Sequence, residues 1–336
     1  MSKIIRNFNN ANMLLTTKTI SAMKTLSLSF ILLVSTLMFC VSCSDCEEEM
    51  FVTEAEAFEA PTPQEFEQLQ QASFESLTQQ FVVNASEPFT IETENGVFIN
   101  VAAQCLSFNG APVEGDITFE VTEFFNRGEM LAANASTVGV DANGNLELLI
   151  SGGMFYFEAF QDGNPLTLEC ETLLTVPADL TGGEDPEMTA FTGEENANGD
   201  VVWTPQNGEF FLGEDPVGNP AYITLFNSLG WFNCDRFANF PDPKTVIEVF
   251  LPQEFSQENS NVYLALQGEP NSLGYLYGEF PVGLAGYIIF ISEEDGDFRY
   301  AIRELIIEEN QQVIFTVQET ELASPSAFRQ LINELP

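Results

Sequence analysis

DITFEVTEFF, residues 116–125, alternates apolar and polar side chains through most of its length. Successive side chains of a β-strand point to opposite faces. The run therefore predicts a strand that buries Ile117, Phe119 and Val121 and exposes Thr118, Glu120 and Thr122. Runs of the same texture flank it: FTIET (89–93), GVFINVAAQC (96–105), NLELLI (145–150), MFYFEAF (154–160) and LTLEC (166–170). Between them stand Asn95-Gly96, Asn109-Gly110, Asn143-Gly144 and Asp162-Gly163, pairs that supply the positive φ of tight hairpins. Residues 81–180 thus read as an antiparallel β-sandwich domain.

A Pro-, Gly- and acid-rich connecting segment follows at 181–220, with a hairpin expected near Asn198-Gly199. A second strand series then begins: YITLF (222–226), TVIEVFL (245–251), NVYLALQ (261–267), GYIIFIS (286–292), FRYAIREL (298–305) and QVIFTVQE (312–319). It marks 221–336 as a second β-rich domain. Two helices interrupt the pattern. Thr62-Pro63-Gln64-Glu65 is a capping box with Pro at the first helical position, and Phe66, Leu69, Ser73 and Leu77 follow at near-helical spacing to about Gln80. Residues 324–335 predict a closing helix capped by Ser326, with Phe328, Leu331 and Ile332 inward. The expected fold class is all-β: two antiparallel β-sandwich-like domains after a signal segment, an acidic linker and one short helix.

The chain has 336 residues with 10 Lys and Arg, 51 Asp and Glu, no His and a formal charge of −41. Residues 1–43 contain no acid, so the whole acidic excess lies beyond them. Such a body repels phosphate backbones, which excludes nucleic acid as a partner. It also disfavours anionic membrane surfaces unless a covalent anchor holds it there. An apolar fraction of 45% with 31 Phe is enough for a core, so the charge reads as a solvated shell around a folded body.

The anchor is written at the N-terminus. From Met23 the chain reads MKTLSLSFILLVSTLMFCVSC: one Lys, then a 14-residue apolar run at 26–39, too short to span a bilayer comfortably. Val41 and Ser42 precede Cys43. This resembles the lipobox of bacterial lipoproteins, with Cys40 standing where Leu is commonest. The resemblance implies cleavage before Cys43, a diacylglycerol on its thiol, and Met23 as the working start of a signal region within 1–43. A plain secretory signal is the alternative; a zinc site at Cys40, Cys43 and Cys46 lacks a fourth ligand nearby. Ser44, where the inner-membrane retention Asp would stand, implies the outer membrane. Asp45 and Glu47–Glu49 resemble the surface-export signal of Bacteroidetes lipoproteins, and residues 44–80 form an acidic tether plus the short helix. The expected location is the cell surface, with the periplasmic face of the outer membrane as the alternative.

The order of features in GVFINVAAQCLSFNGAPVEGDITFEVTEFFNRGEML (96–131) and NGNLELLISGGMFYFEAFQDGNPLTL (143–168) resembles the ZU5-like domain of Bacteroidetes envelope proteins. Some eukaryotic ZU5 domains cleave themselves at a His-Phe-Ser turn. This chain has no His, so that activity is not implied.

The absence of His also removes Ser-His-Asp and Cys-His catalysis and imidazole acid–base work. Lys244 is the lone lysine after residue 43 and stands in a turn-like PDPKT. Paired carboxylates are the remaining catalytic device, and Glu123 and Glu158 lie in aromatic-rich strands. Among 51 acids, accidental pairs abound. The candidate ligands for a structural calcium are Asp141, Asn143 and Asn145 in one loop and Asp295 and Asp297 in another; in the first, Leu146 replaces the glycine of an EF-hand. Arg236, beside Trp231, Phe232 and Phe237, predicts an acid partner at a domain junction. Cys105 and Cys170 each end a strand and are the first candidate disulfide pair, although buried free thiols are the expected state. The favoured reading is a non-catalytic lipoprotein, held by its acyl chains, that binds or displays at the envelope, with a glycan or another envelope protein as partner. Its rivals are a secreted carboxylate hydrolase and an accessory subunit of envelope assembly or glycan uptake. A concave cleft with two convergent acids and flanking aromatics is what the hydrolase requires.

Overall fold

The computed structural model describes residues 5–7, 58–197, 199–240, 242–276 and 278–336. The expectations for the signal region, for Cys43 and for the tether over 44–57 lie outside them. Strands dominate, as the all-β reading expects, and residues 60–336 belong to one compact unit.

Helix α1 (Pro63–Glu75) begins as its capping box dictates. The Glu65 backbone N–H donates to Thr62 Oγ1 at 3.3 Å, and the Thr62 N–H donates to the Glu65 carboxylate at 2.7 Å. Phe66, Leu69 and Ser73 are its buried side. It stops short of Gln80 because Thr78–Asn84 is extended and pairs antiparallel with Asp116–Phe124. Sheet pairing overrides helical spacing there. It also corrects the face of Thr122, which is buried and shares a 2.8 Å hydroxyl contact with Thr78 across the register. Ile117, Phe119 and Val121 are buried as expected.

The large sheet is organised by Leu146–Gln161, a 16-residue strand. It pairs with Asp116–Phe124 on one side, with Val138–Val140 near its start, and with Gly230–Phe237 along its middle. From Gly230–Phe237 the pairing runs through Thr189–Glu195 and Val201–Pro205 and returns to Val138–Val140. Five strands thereby close a ring of hydrogen bonds, which removes the free edges that two of them would otherwise present. Gly152-Gly153 lets the long strand serve both sides. The register shifts opposite it, between Asn233 and Asp235, and Gly153 has φ +132°. A Cβ at Gly152 would stand 2.8 Å from the Cys234 carbonyl oxygen.

A second, fully antiparallel sheet runs Phe210–Glu214, Pro220–Phe226, Thr172–Pro177, Phe98–Val101 and Phe89–Glu92. Aromatic rings fill the space between the sheets: Phe157 stacks on Phe226 with centroids 4.6 Å apart and on Phe155 at 5.7 Å. Cys105 and Cys170 are joined in a disulfide with Cα atoms 5.4 Å apart, correcting the expectation of free thiols there. Cys234 is a buried free thiol.

Pro220–Phe226 and Gly230–Phe237, which the turn punctuation assigns to the second module, are therefore hydrogen bonded into the first. The C-terminal sheet is a separate antiparallel set: Leu273–Tyr275, Ser260–Leu266, Ala285–Glu294, Asp297–Ile306 and Glu321–Ala323. Helix α3 (Pro325–Asn333) packs on it through Phe328, whose ring stacks on Phe298 at 4.6 Å. Its N-cap is Ser324 rather than Ser326; Phe328 and Ile332 are buried, whereas Leu331 is only half-buried. Glu248–Leu251 lies parallel to Gln312–Ile314 and to Ile5–Asn7.

The two sheet systems are tied by backbone and side-chain hydrogen bonds. Thr137 N–H donates to Leu273 O at 2.7 Å, Ser272 Oγ to Leu149 O at 2.9 Å, and Arg127 N–H to Pro270 O at 2.9 Å. Asn134 Oδ1 accepts from Tyr263 at 2.6 Å, Tyr275 at 2.9 Å and Asn261 at 3.0 Å. Helix α2 (Arg127–Ala132), capped by Asn126, places Arg127 in the middle of this seam.

Asp235 is fully buried in the ring, where Asn233 Nδ2 donates to its Oδ2 at 2.6 Å and its Oδ1 has no partner among the described residues. Burial pushes its carboxyl well above the usual range. The folded state thus keeps a proton that the unfolded chain releases near pH 3.9. Its contribution to stability is complete below that pH and declines as pH rises toward the folded-state value. Asp235→Asn should match the parent protein at acid pH and melt above it by a margin that widens from about pH 4 toward neutrality. A margin that stays flat across parallel melting curves would contradict the assignment.

Candidate cleft at the junction of helix α1 and the two sheet systems

Segments distant in sequence meet around a cleft of about 940 Å³. Helix α1 contributes Phe66, Glu67, Gln70, Gln71 and Phe74; the long strand contributes Tyr156 and Glu158; the ring strands contribute Glu195 and Trp231; the C-terminal module contributes Glu258 and Asn261. Junctions between packed units are common places for ligand pockets.

Local structure explains how each group arrives. Tyr156 and Glu158 are two apart on one strand, so they share a face. Gln70 and Phe74 are four apart on α1 and share a stripe. Trp231 lies opposite Tyr156 in the strand register, and their rings are 4.8 Å apart. Phe74 meets both edge-on, at 5.5 Å from Tyr156 and 5.8 Å from Trp231. Gly193 makes the corner possible, since a Cβ there would lie 2.8 Å from Trp231 Cβ and 2.9 Å from the Trp203 ring.

Carboxylates surround this aromatic corner. Trp231 Nε1 donates to Glu195 at 3.4 Å, and the Tyr156 hydroxyl to Glu158 at 3.5 Å. Burial and the adjacent Glu158 and Glu195 push Tyr156 up to about 12, so it stays a neutral phenol. Partial burial, and then the charge of Glu120 directly across the strand pair, raise the Glu158 carboxyl above its ordinary value. The charged lining residues among those described are Glu67, Glu158, Glu195 and Glu258, all carboxylates. Gln70 Nε2 is enclosed and has no hydrogen-bond partner among the described residues. A buried donor without an acceptor costs about 1–3 kcal/mol.

Of the residues singled out in the sequence, Glu158 and Trp231 come together here and the others do not. Glu123 is buried, accepting from Thr93 at 2.7 Å, Asn95 at 2.9 Å and Gln79 at 3.0 Å. It holds the 93–96 turn against the sheet. Asp141 accepts from the backbone N–H groups of Asn143 (2.8 Å) and Asn145 (2.7 Å) and from both of their side-chain amides. Its carboxylate is thereby spent on the loop's own donors, and a calcium ion would have to displace them. Glu293 accepts from Gly296 N–H at 2.6 Å, and Asp295 takes the positive φ of that hairpin, with Asp297 opening the next strand. No cluster of three His, Cys, Asp or Glu side chains with metal-binding geometry occurs among the described residues. Arg236 pairs with Asp185 at 2.6 Å, and Lys244 with Glu147 at 2.9 Å.

Tyr156, Glu195, Phe74 and Gln70 escape a linear reading. The usable signal was same-face spacing on the strand and on the helix; nothing local says that those two faces meet. No protein-family model, curated protein or solved structure matches this chain.

Proposed function

We propose that this chain is a surface or outer-membrane lipoprotein, anchored at Cys43, that acts by binding a glycan ligand in the α1 cleft. The observation that carries the reading is the aromatic corner of Phe74, Tyr156 and Trp231 inside a roomy, carboxylate-walled cleft. Sugar rings stack their C–H faces on aromatic rings and offer hydroxyls to carboxylates and amides, and both kinds of group line this cleft. The Cys105–Cys170 disulfide supports an exported location, because such bonds persist in oxidising compartments. The resemblance of residues 96–168 to ZU5-like envelope domains is in keeping with it.

Two measurements test the reading. Protease shaving of intact cells should release the parent protein but not a Cys43→Ser variant, which should leave the membrane fraction. Trp231 is partly exposed in the cleft while Trp203 is fully buried, so intrinsic fluorescence reports on the cleft. Titration with a series of envelope oligosaccharides should give a saturable change that Trp231→Phe removes. If no member of the series produces one, the binding reading fails.

A carboxylate hydrolase is the second reading, favoured by one observation: the raised Glu158 carboxyl shares the cleft with Glu195. It predicts turnover of a bound oligosaccharide that Glu158→Gln abolishes without abolishing binding.

A further inference from the structure

Resting on the binding reading, we propose that the cleft selects a positively charged saccharide, an amino sugar whose nitrogen is a free ammonium group rather than an amide. Three features of the cleft converge on this class.

The first is charge. All four charged lining residues among those described are acids, placed on three different parts of the fold: Glu67 on α1, Glu158 and Glu195 on the ring, and Glu258 in the C-terminal module. A neutral sugar needs one or two carboxylates as acceptors; it gains nothing from four negative charges, which repel one another until a cation arrives.

The second is the corner itself. Three rings meet there, with Phe74 edge-on to Tyr156 (78°) and to Trp231 (75°). An aromatic corner with Glu195 beside Trp231 and Glu158 beside Tyr156 can hold a sugar against its rings and at the same time take a compact ammonium, attracted by ring faces and carboxylates together.

The third is the rest of the ligand. The cleft is several times larger than an ammonium group, and its remaining wall carries amides: Gln70, Gln71, Asn134, Gln257 and Asn261. Those amides carry N–H donors, which a bare alkylammonium cannot accept from and sugar hydroxyls can. An ammonium head on a polyhydroxylated body meets all three conditions.

The probe pair is the glucosamine trimer and its fully N-acetylated form, which share the backbone and differ in the charge of the amines. At mildly acidic pH, where the amines are protonated, Trp231 fluorescence of the full chain should saturate with the free-amine trimer and respond at least ten-fold more weakly to the acetylated one. Glu195 is exposed, so Glu195→Gln should keep the parent melting temperature while weakening free-amine binding roughly ten-fold. Added salt should weaken it as well. Equal binding of the two trimers, or tighter binding of the acetylated one, overturns charge selection and leaves the neutral-glycan reading standing. No response to either trimer overturns the amino-sugar class, and the oligosaccharide series then decides the binding reading separately.

Discussion

Arg127→Met is expected to destabilise the folded chain by roughly 3–5 kcal/mol, the cost of breaking a buried charged network. Arg127 is 1% exposed, yet its side chain carries three hydrogen bonds: Nε to Ile332 O and Nη1 to Leu266 O, each at 3.0 Å, and Nη2 to Leu335 O. Its partners are carbonyls rather than a carboxylate, and two, Ile332 O in α3 and Leu335 O just beyond it, lie at the C-terminal end of that helix. The guanidinium therefore caps that helix and joins it to Ser260–Leu266. Removing it takes this donor from the Leu266 and Leu335 carbonyls, leaves Ile332 O only its helix-end backbone donors, and frees the C-terminus from the seam. Arg127→Lys restores the charge but not the fork of donors, so it should recover only part of the loss. Urea unfolding monitored by circular dichroism checks both. A shift in midpoint of under about 1 kcal/mol equivalent for Arg127→Met would show that the seam does not depend on this residue. Gly128, next in the chain, sits so close to the same helix that a Cβ would stand 2.3 Å from Arg329 O.

Replacing both Cys105 and Cys170 with Ser should cost about 4 kcal/mol, because the bond closes a loop with a sequence separation of 65. On the chain-entropy account the loss comes mainly from the greater freedom of the unfolded chain. The variant should thus unfold at lower urea, with its near-ultraviolet aromatic signal intact below the transition. The same loss should follow reduction of the parent protein. A chain whose midpoint is unchanged by reductant would show the bond to be absent or idle.

Much of the architecture was legible because β-structure writes itself locally. Period-two alternation at 116–121 and the Asn-Gly and Asp-Gly pairs each depend on residues within a few positions, and those elements stand where they were expected. The α1 capping box is equally local. The errors arise where distant pairing decides. Thr122 looks exposed by alternation but is covered once Thr78 pairs opposite it. Residues 221–237 read as the start of a second module, yet their hydrogen bonds go back to 172–177 and 146–161. Cys105 and Cys170 were a plausible pair by their strand ends, but only the fold brings their Cα atoms to 5.4 Å.

The cleft shows the same division. Glu158 and Trp231 were singled out by residue type, and Glu123 was too; buried donors from Thr93, Asn95 and Gln79 turn Glu123 into a structural anchor. By itself the sequence determined the strand-rich class, the hairpin positions and the acidic excess, since each follows from side-chain chemistry at short range. Only the tertiary structure decided that the long strand closes a ring, that α1 lies over its aromatic face, and which acids line a cleft. Those outcomes depend on which surfaces bury each other across a hundred residues or more, and burial energy has no signature in neighbouring positions of the chain.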